Sequence, residues 1–194
     1  MVLCRKETKT NLEKSIMLHI IDDFLSLDEF NELDLQIEEK KVCEWDEYNW
    51  EFRAENPFVN KVLKTAGKYY DMEELGWYER WTHTNSRPMD WHYDKHEKLF
   101  EVEGTLAFPI CSCVYYPSMD KALIGGELLL KNKTVLRYDR VQPIENRLVL
   151  FDAGVYHSVN AFRGKRTSIN INPWQYWRSI NEGSVKQPNL HGSR

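Results

Sequence analysis

Between residues 75 and 177 the chain breaks into eight short apolar or alternating runs, and this rhythm constrains its fold more than any other feature. The runs cover 77–82, 89–95, 106–116, 127–130, 135–141, 147–151, 155–162 and 167–171. Asn85 to Pro88, Pro117-Ser118, Gly125-Gly126, Asn132, Pro143 to Asn146, Gly154 and Gly164 separate them. Such residues end strands because they fix φ, tolerate positive φ or cap their own backbone. So many short strands in one segment predict a sandwich or barrel, such as a jelly roll.

The stretch before residue 75 has a different character. Met17 to Ile21 is an apolar run that ends at Asp22-Asp23, as a strand would. Ser26 and Glu29 stand at capping-box spacing, with Leu25 and Phe30 placed as a hydrophobic staple. Phe30, Leu33 and Ile37 continue at helical spacing. Asn56-Pro57 opens a second helix that is expected to run towards Tyr69. The whole reads as a single domain of 194 residues: supporting strand and helices over 1–74, a β core over 75–177, and a polar tail over 183–194. The fold class is mainly β, with the helices packed on one outer face.

Charge and composition narrow the partners. A net charge of −4 is a poor match to nucleic-acid phosphates, so no nucleic acid is expected. No apolar run approaches the roughly 18–20 residues that span a bilayer, and residues 1–15 lack the hydrophobic stretch of a secretory signal. Cys4, Cys43, Cys111 and Cys113 are too scattered for a disulfide scaffold, and Cys111 and Cys113 share one strand face. Buried free thiols and a cytoplasmic location are expected. Nothing in the sequence encodes the oligomeric state.

The chemistry centres on Trp91-His92-Tyr93-Asp94 and on His157. In a strand His92 and Asp94 project from the same face. Two imidazoles and one carboxylate form the facial triad that suits non-haem Fe(II). Nine residues beyond His157 stands Arg166, with Ser168 on the same strand face. A guanidinium fork beside a hydroxyl is a donor set for the distal carboxylate of a dicarboxylic acid. His96 is expected to be a solvated residue near a strand end, and His19, His83 and His191 to be structural or surface groups. Glu38 to Lys41 reads as a solvated helix face.

These residues resemble the Fe(II)/2-oxoglutarate-dependent dioxygenases, over roughly residues 75–177. Within that superfamily the chain is most similar to the prolyl 4-hydroxylase branch, through Ser112 to Tyr116 and Gly125-Gly126-Glu127-Leu128. The resemblance implies a double-stranded β-helix (jelly roll, cupin-like) core and Fe(II) held by His92, Asp94 and His157. It further implies 2-oxoglutarate held by Arg166, Ser168 and Tyr116, with O2 as the second co-substrate. Hydroxylation of an unactivated C–H bond would release succinate and CO2, with ascorbate as a stimulating reductant. The substrate would be a peptide, a protein or a small metabolite, with peptidyl proline the leading guess. Two departures fall on the substrate side: Pro109 stands where peptidyl prolyl hydroxylases usually carry arginine, and Trp81 where a tyrosine is common. Trp81, Arg87, Trp91 and Trp174 are candidate substrate contacts, although the tryptophans could equally pack the core. Two readings compete with catalysis. One is a non-catalytic cupin-like binding protein, and the other a structural jelly roll in which the triad never converges.

Overall fold

The computed structural model describes residues 16–39, 47–51, 56–85, 88–131 and 137–175. Arg87, Cys4, Cys43, His191, the 183–194 tail and part of the Glu38–Lys41 run therefore lie outside the described residues. The elements in chain order are β1 (Leu18–Ile21), α1 (Leu27–Glu39), β2 (Glu47–Glu51), α2 (Pro57–Ala66), β3 (Leu75–Asn85) and β4 (Met89–His92). There follow α3 (Glu97–Glu103), β5 (Cys111–Met119), β6 (Ile124–Gly125), β7 (Leu128–Lys131) and β8 (Tyr138–Val141). β9 (Arg147–Asp152), β10 (His157–Val159), β11 (Phe162–Arg163) and β12 (Arg166–Gln175) complete the chain. No described helix is long and apolar enough to cross a membrane.

A six-stranded antiparallel sheet runs β1-β9-β5-β12-β3-β2, and a four-stranded sheet runs β4-β10-β7-β8. β6 and β11 form a separate two-stranded sheet. This is the jelly-roll core that the strand rhythm predicts. Side-chain alternation divides the large sheet into two faces. Cys111, Cys113, Tyr115, Leu148, Leu150, Ile169, Ile171 and Tyr78 pack against Phe58, Val59, Val62 and Ala66 of α2 and Leu33 of α1. The helices thus cover one outer face. On the inner face Val114, Tyr116, Val149 and Phe151 meet Leu128, Leu130, Val141 and Val155.

Local signals explain where the helices begin. The Ser26 backbone N–H donates to Glu29 Oε2 at 2.8 Å, and Glu29 N–H donates to Ser26 Oγ at 3.4 Å, which closes the capping box. Asn56 Oδ1 accepts from Phe58 N–H and Val59 N–H ahead of Pro57. This helix stops at Ala66 rather than Tyr69, with Gly67 as its C-cap, whose N–H still donates to Leu63 O. Two other expectations need correction. The 89–95 strand ends at His92, and α3 follows, capped by His96, whose ring accepts from Leu99 N–H at 3.2 Å. Competition between a polar cap and β propensity decided that segment. The strand expected from 106 starts at Cys111 and runs through Pro117-Ser118 to Met119, so that proline does not break it. β2 carries no clear alternation and was not anticipated.

One residue fastens the N-terminal segment to the core. Asn146, at φ 60°, accepts from Leu25 N–H and Tyr115 O–H and donates to Leu25 O, each at 2.9 Å. Its carbonyl also accepts from Phe24 N–H at 2.9 Å. Replacing Asn146 with Ala removes three side-chain bonds and leaves a left-handed backbone without its favoured residue. A loss of about 2–4 kcal/mol in urea denaturation is expected.

Candidate active site

The ladder between β10 and β4 sets the centre of the site. His157 pairs directly with His92, and their ring centroids lie 4.3 Å apart. Asp94 follows two residues after His92, with Oδ1 3.7 Å from His157 Nε2. One ligand atom from each of the three lies within 4.8 Å of the others, so the cluster could hold a metal ion. Each imidazole is oriented by a backbone carbonyl: His92 Nδ1 donates to Asp90 O at 2.7 Å and His157 Nδ1 to Val155 O at 2.8 Å. Both rings therefore keep Nε2 free to bind, as metal-ligating histidines do. Ser112 Oγ donates to Asp94 Oδ2 at 2.6 Å, which leaves Oδ1 towards the imidazoles. Burial holds the His157 pKa below its usual value and favours the neutral, ligating form. Two neutral nitrogens and a carboxylate oxygen on one side fit Fe(II).

The second half of the site lies on the inner face of β12. Arg166 is 3 % exposed, and its guanidinium sits 5.5 Å from the Tyr116 ring centroid and 5.3 Å from that of Phe162. Gly126 makes room for it, since a Cβ there would stand 3.4 Å from the Phe162 ring and 3.5 Å from Arg166 Cδ. Arg166 Nε has no hydrogen-bond partner, and among the described residues no carboxylate pairs with this cation. An enclosed charge left this way is costly until an anion meets it, and a dicarboxylate such as 2-oxoglutarate fits that need. Ser168 is buried two positions along the same face. Tyr116 is fully buried, and its pKa is pushed up by burial against the opposing pull of Arg166.

The candidate tryptophans separate. Trp91 packs on Tyr138 and Tyr156, with centroids at 5.2 and 5.4 Å, on the side of β4 opposite His92. Trp174 stacks on Trp77 at 5.1 Å and meets His96 edge-on, so His96 is part of an aromatic cluster rather than a solvated strand end. Trp81 is half-buried on β3, opposite Asn170 of β12, and its ring stacks with that of His83. His83 itself faces Ser168 across the ladder, and His19 stacks on Tyr69.

The residue that joins Trp81 and Trp174 was not anticipated. Glu79, 9 % exposed, accepts the indole N–H of Trp81 on Oε1 and that of Trp174 on Oε2, the latter at 3.1 Å. Only its placement beside Trp77 and Trp81 in a two-residue alternation could have signalled an inward-facing acid. Burial pushes its pKa up to about 7; the indole donors oppose the rise, and Asp94 and Glu97 add to it. A raised carboxyl pKa means that the folded state binds the extra proton, so stability falls as pH climbs from about 4.5 through 7. In metal-free protein, Glu79→Gln removes that cost. Between pH 5 and pH 8, wild type is expected to lose roughly 2–3 kcal/mol relative to the variant in urea denaturation. A parallel pH dependence of the two proteins would contradict the assignment.

Comparison with known proteins agrees with this geometry. A profile of the 2OG-Fe(II) oxygenase superfamily matches residues 78–174, half of the chain. No curated protein sequence matches. Among solved structures, the chain is similar to a Pseudomonas putida prolyl-4-hydroxylase, with TM-score 0.61 and 16% identity, covering 84% of this chain and 93% of that one. It is similar to the viral collagen prolyl hydroxylase of Paramecium Bursaria Chlorella virus-1 in its 2OG complex, with TM-score 0.57, 15% identity and coverage of 81% and 95%. A Trichoplax adhaerens prolyl hydroxylase bound to a hypoxia inducible factor peptide fragment gives TM-score 0.57, 15% identity and coverage of 81% and 83%. At such identities the likeness speaks for the fold, whereas the profile speaks for the family. The chain belongs to the 2OG-Fe(II) oxygenase superfamily and is a Fe(II)/2-oxoglutarate-dependent dioxygenase of prolyl hydroxylase-like fold.

Proposed function

We propose that this dioxygenase hydroxylates an unactivated C–H bond of an amino-acid residue or small metabolite, with His92, Asp94 and His157 as its iron ligands. The observation that carries the reading is the convergence of His92, Asp94 and His157, with one ligand atom from each within 4.8 Å of the others. Arg166 on β12 lies against Tyr116, Tyr116 packs in one cluster with Phe151, and Phe151 meets His157 edge-on. When bound, Fe(II), 2-oxoglutarate and O2 supply the oxidising power, with succinate and CO2 released. The protein supplies position and dryness. Asp90 O and Val155 O fix the histidine tautomers, while Ser112 holds the Asp94 carboxylate in one orientation. Arg166 and Ser168 bind the distal carboxylate of 2-oxoglutarate, and Tyr116 lies against the same guanidinium. Phe151, edge-on to His157 at 5.1 Å, and Phe162 help exclude water. Ascorbate is expected to stimulate turnover. A cytoplasmic setting is proposed from the sparse, scattered cysteines of the sequence; Cys111 and Cys113 are buried free thiols.

Peptidyl proline is the first substrate to test, from resemblance to the prolyl 4-hydroxylase branch. A free amino acid or a basic side chain is the second reading, favoured by the buried acid at Glu79.

Anaerobic addition of Fe(II) and 2-oxoglutarate is expected to give a weak visible charge-transfer band that His92→Ala abolishes. An equal band in the variant would remove His92 from the metal. Arg166→Ala is expected to weaken 2-oxoglutarate binding by about 10- to 150-fold while iron affinity changes far less. Unchanged co-substrate affinity would remove Arg166 from the site. A screen of peptides and metabolites by mass spectrometry should find a +16 Da product; no succinate release under any condition would favour a non-catalytic binding protein.

A further inference from the structure

The inner face of β12 carries more polar groups than the metal and 2-oxoglutarate require. Its side chains alternate: Thr167, Ile169 and Ile171 turn away from the site, whereas Arg166, Ser168, Asn170, Asn172 and Trp174 turn towards it. Two of these carry oxygens with no partner, Asn170 Oδ1 and Asn172 Oδ1, and Asn172 is only 3 % exposed. Both orphaned atoms are acceptors, so what completes them must donate hydrogen. Ionised 2-oxoglutarate has no hydrogen to donate, so it cannot be that partner.

Register places the acid beside these acceptors. Asn172 faces Glu79 across the β12–β3 ladder, and Asn170 faces Trp81. On the other edge of β12, Ile171 pairs with Cys113, so one residue further along the ladder Asn172 comes beside Ser112, which holds Asp94. Asp94, Ser112, Asn172 and Glu79 therefore form a row across neighbouring strands, leading from the metal ligand to the acid. Trp81 and Trp174 fix the Glu79 carboxylate from either side with their N–H groups, and the Trp77–Trp174 stack closes the space beneath it. Each carboxylate oxygen accepts one indole proton here, and an ionised carboxylate has roughly two lone-pair sites per oxygen, so capacity remains. No Lys or Arg is paired with Glu79 among the described residues.

We propose that Glu79 determines substrate specificity: with Asn172 it receives a protonated side-chain nitrogen of the substrate, an ammonium or a guanidinium, and so holds a nearby C–H bond towards the iron ligands. The inference rests on the dioxygenase reading and narrows its substrate class. A peptidyl proline has no N–H to offer such a cluster, whereas a basic side chain or a free basic amino acid does.

The test compares probes whose side chains are charged with ones of similar shape whose side chains are neutral. Nα-acetyl-lysine amide and Nα-acetyl-norleucine amide represent a residue within a peptide; L-arginine and L-citrulline represent a free amino acid. Binding is read by saturation-transfer NMR on protein holding Zn(II) and 2-oxoglutarate, which needs no turnover, and +16 Da products are read separately with Fe(II). The charged member of at least one pair should bind at least 10-fold more tightly than its neutral counterpart. Glu79→Gln, which keeps an acceptor for an indole N–H, should erase that ratio, and Glu79→Asp should restore part of it. Equal binding of charged and neutral probes to wild type would overturn the proposal without any variant, as would a preference that survives Glu79→Gln. Preference within the acetylated pair assigns a protein side chain; preference within the free pair assigns a small molecule. If proline peptides are hydroxylated while every charged probe is ignored, the cation site fails and the oxygenase reading stands. If charged probes bind but no iron–2-oxoglutarate chelate forms, the oxygenase reading fails instead.

Discussion

The two-faced alternation of β12 is the constraint on which the rest of the molecule depends. This strand lies inside the large sheet, between β5 and β3, and nearly every residue along it is buried. Its Thr167, Ile169 and Ile171 are committed to the helix side by packing against Tyr115, Tyr78 and α2, or by lying in line with those that do. A slip of one position would turn these apolar side chains into the site and drive Arg166 into the apolar core, where a guanidinium without a partner is costly. Core packing thus fixes the register, and the register fixes the chemistry. The same logic holds on β5, where Cys111, Cys113 and Tyr115 face the helices and Ser112, Val114 and Tyr116 face inwards.

That interior keeps several charged or polar groups away from water, and the fold stabilises them unequally. Asp94 is held by Ser112, and both histidines by backbone carbonyls. Glu79 is held by two indoles. Arg166 has two aromatic faces beside it but no anion, and Asn170 and Asn172 keep orphaned oxygens. On β12 the incomplete groups differ in kind: a cation at one end, which calls for an anion, and two amide oxygens further along, which call for a hydrogen donor.

How much of this was legible in the sequence follows from which interactions are local. Capping boxes, proline at a helix start and alternating strands act over a few residues, so α1, α2 and most of the strand segments could be read directly. The clustering of His92, Asp94 and His157 was legible from their residue types, although Asp94 lies beyond the end of β4, and Arg166 and Ser168 share one face of β12 as their two-residue spacing predicts. α3 was not, because its cap is a histidine ring rather than one of the usual Ser, Thr, Asp or Asn residues. Glu79, Ser112, Asn172 and Phe162 were not either. Their roles arise from register between strands distant in sequence, such as Asn172 opposite Glu79, and no short motif encodes that pairing. Trp91 was ambiguous for the converse reason. Its neighbour His92 made it look like part of the site, yet period-two alternation turns it to the other side, against Tyr156.

If a metal triad and a carboxylate clamp serve one reaction here, an anaerobic crystal structure with Fe(II) and 2-oxoglutarate will show a metal bonded to Nε2 of His92, Nε2 of His157 and Oδ1 of Asp94, and a 2-oxoglutarate whose distal carboxylate meets Arg166 and Ser168. A metal bound by other residues, or a 2-oxoglutarate that leaves Arg166 unpaired, would contradict that reading.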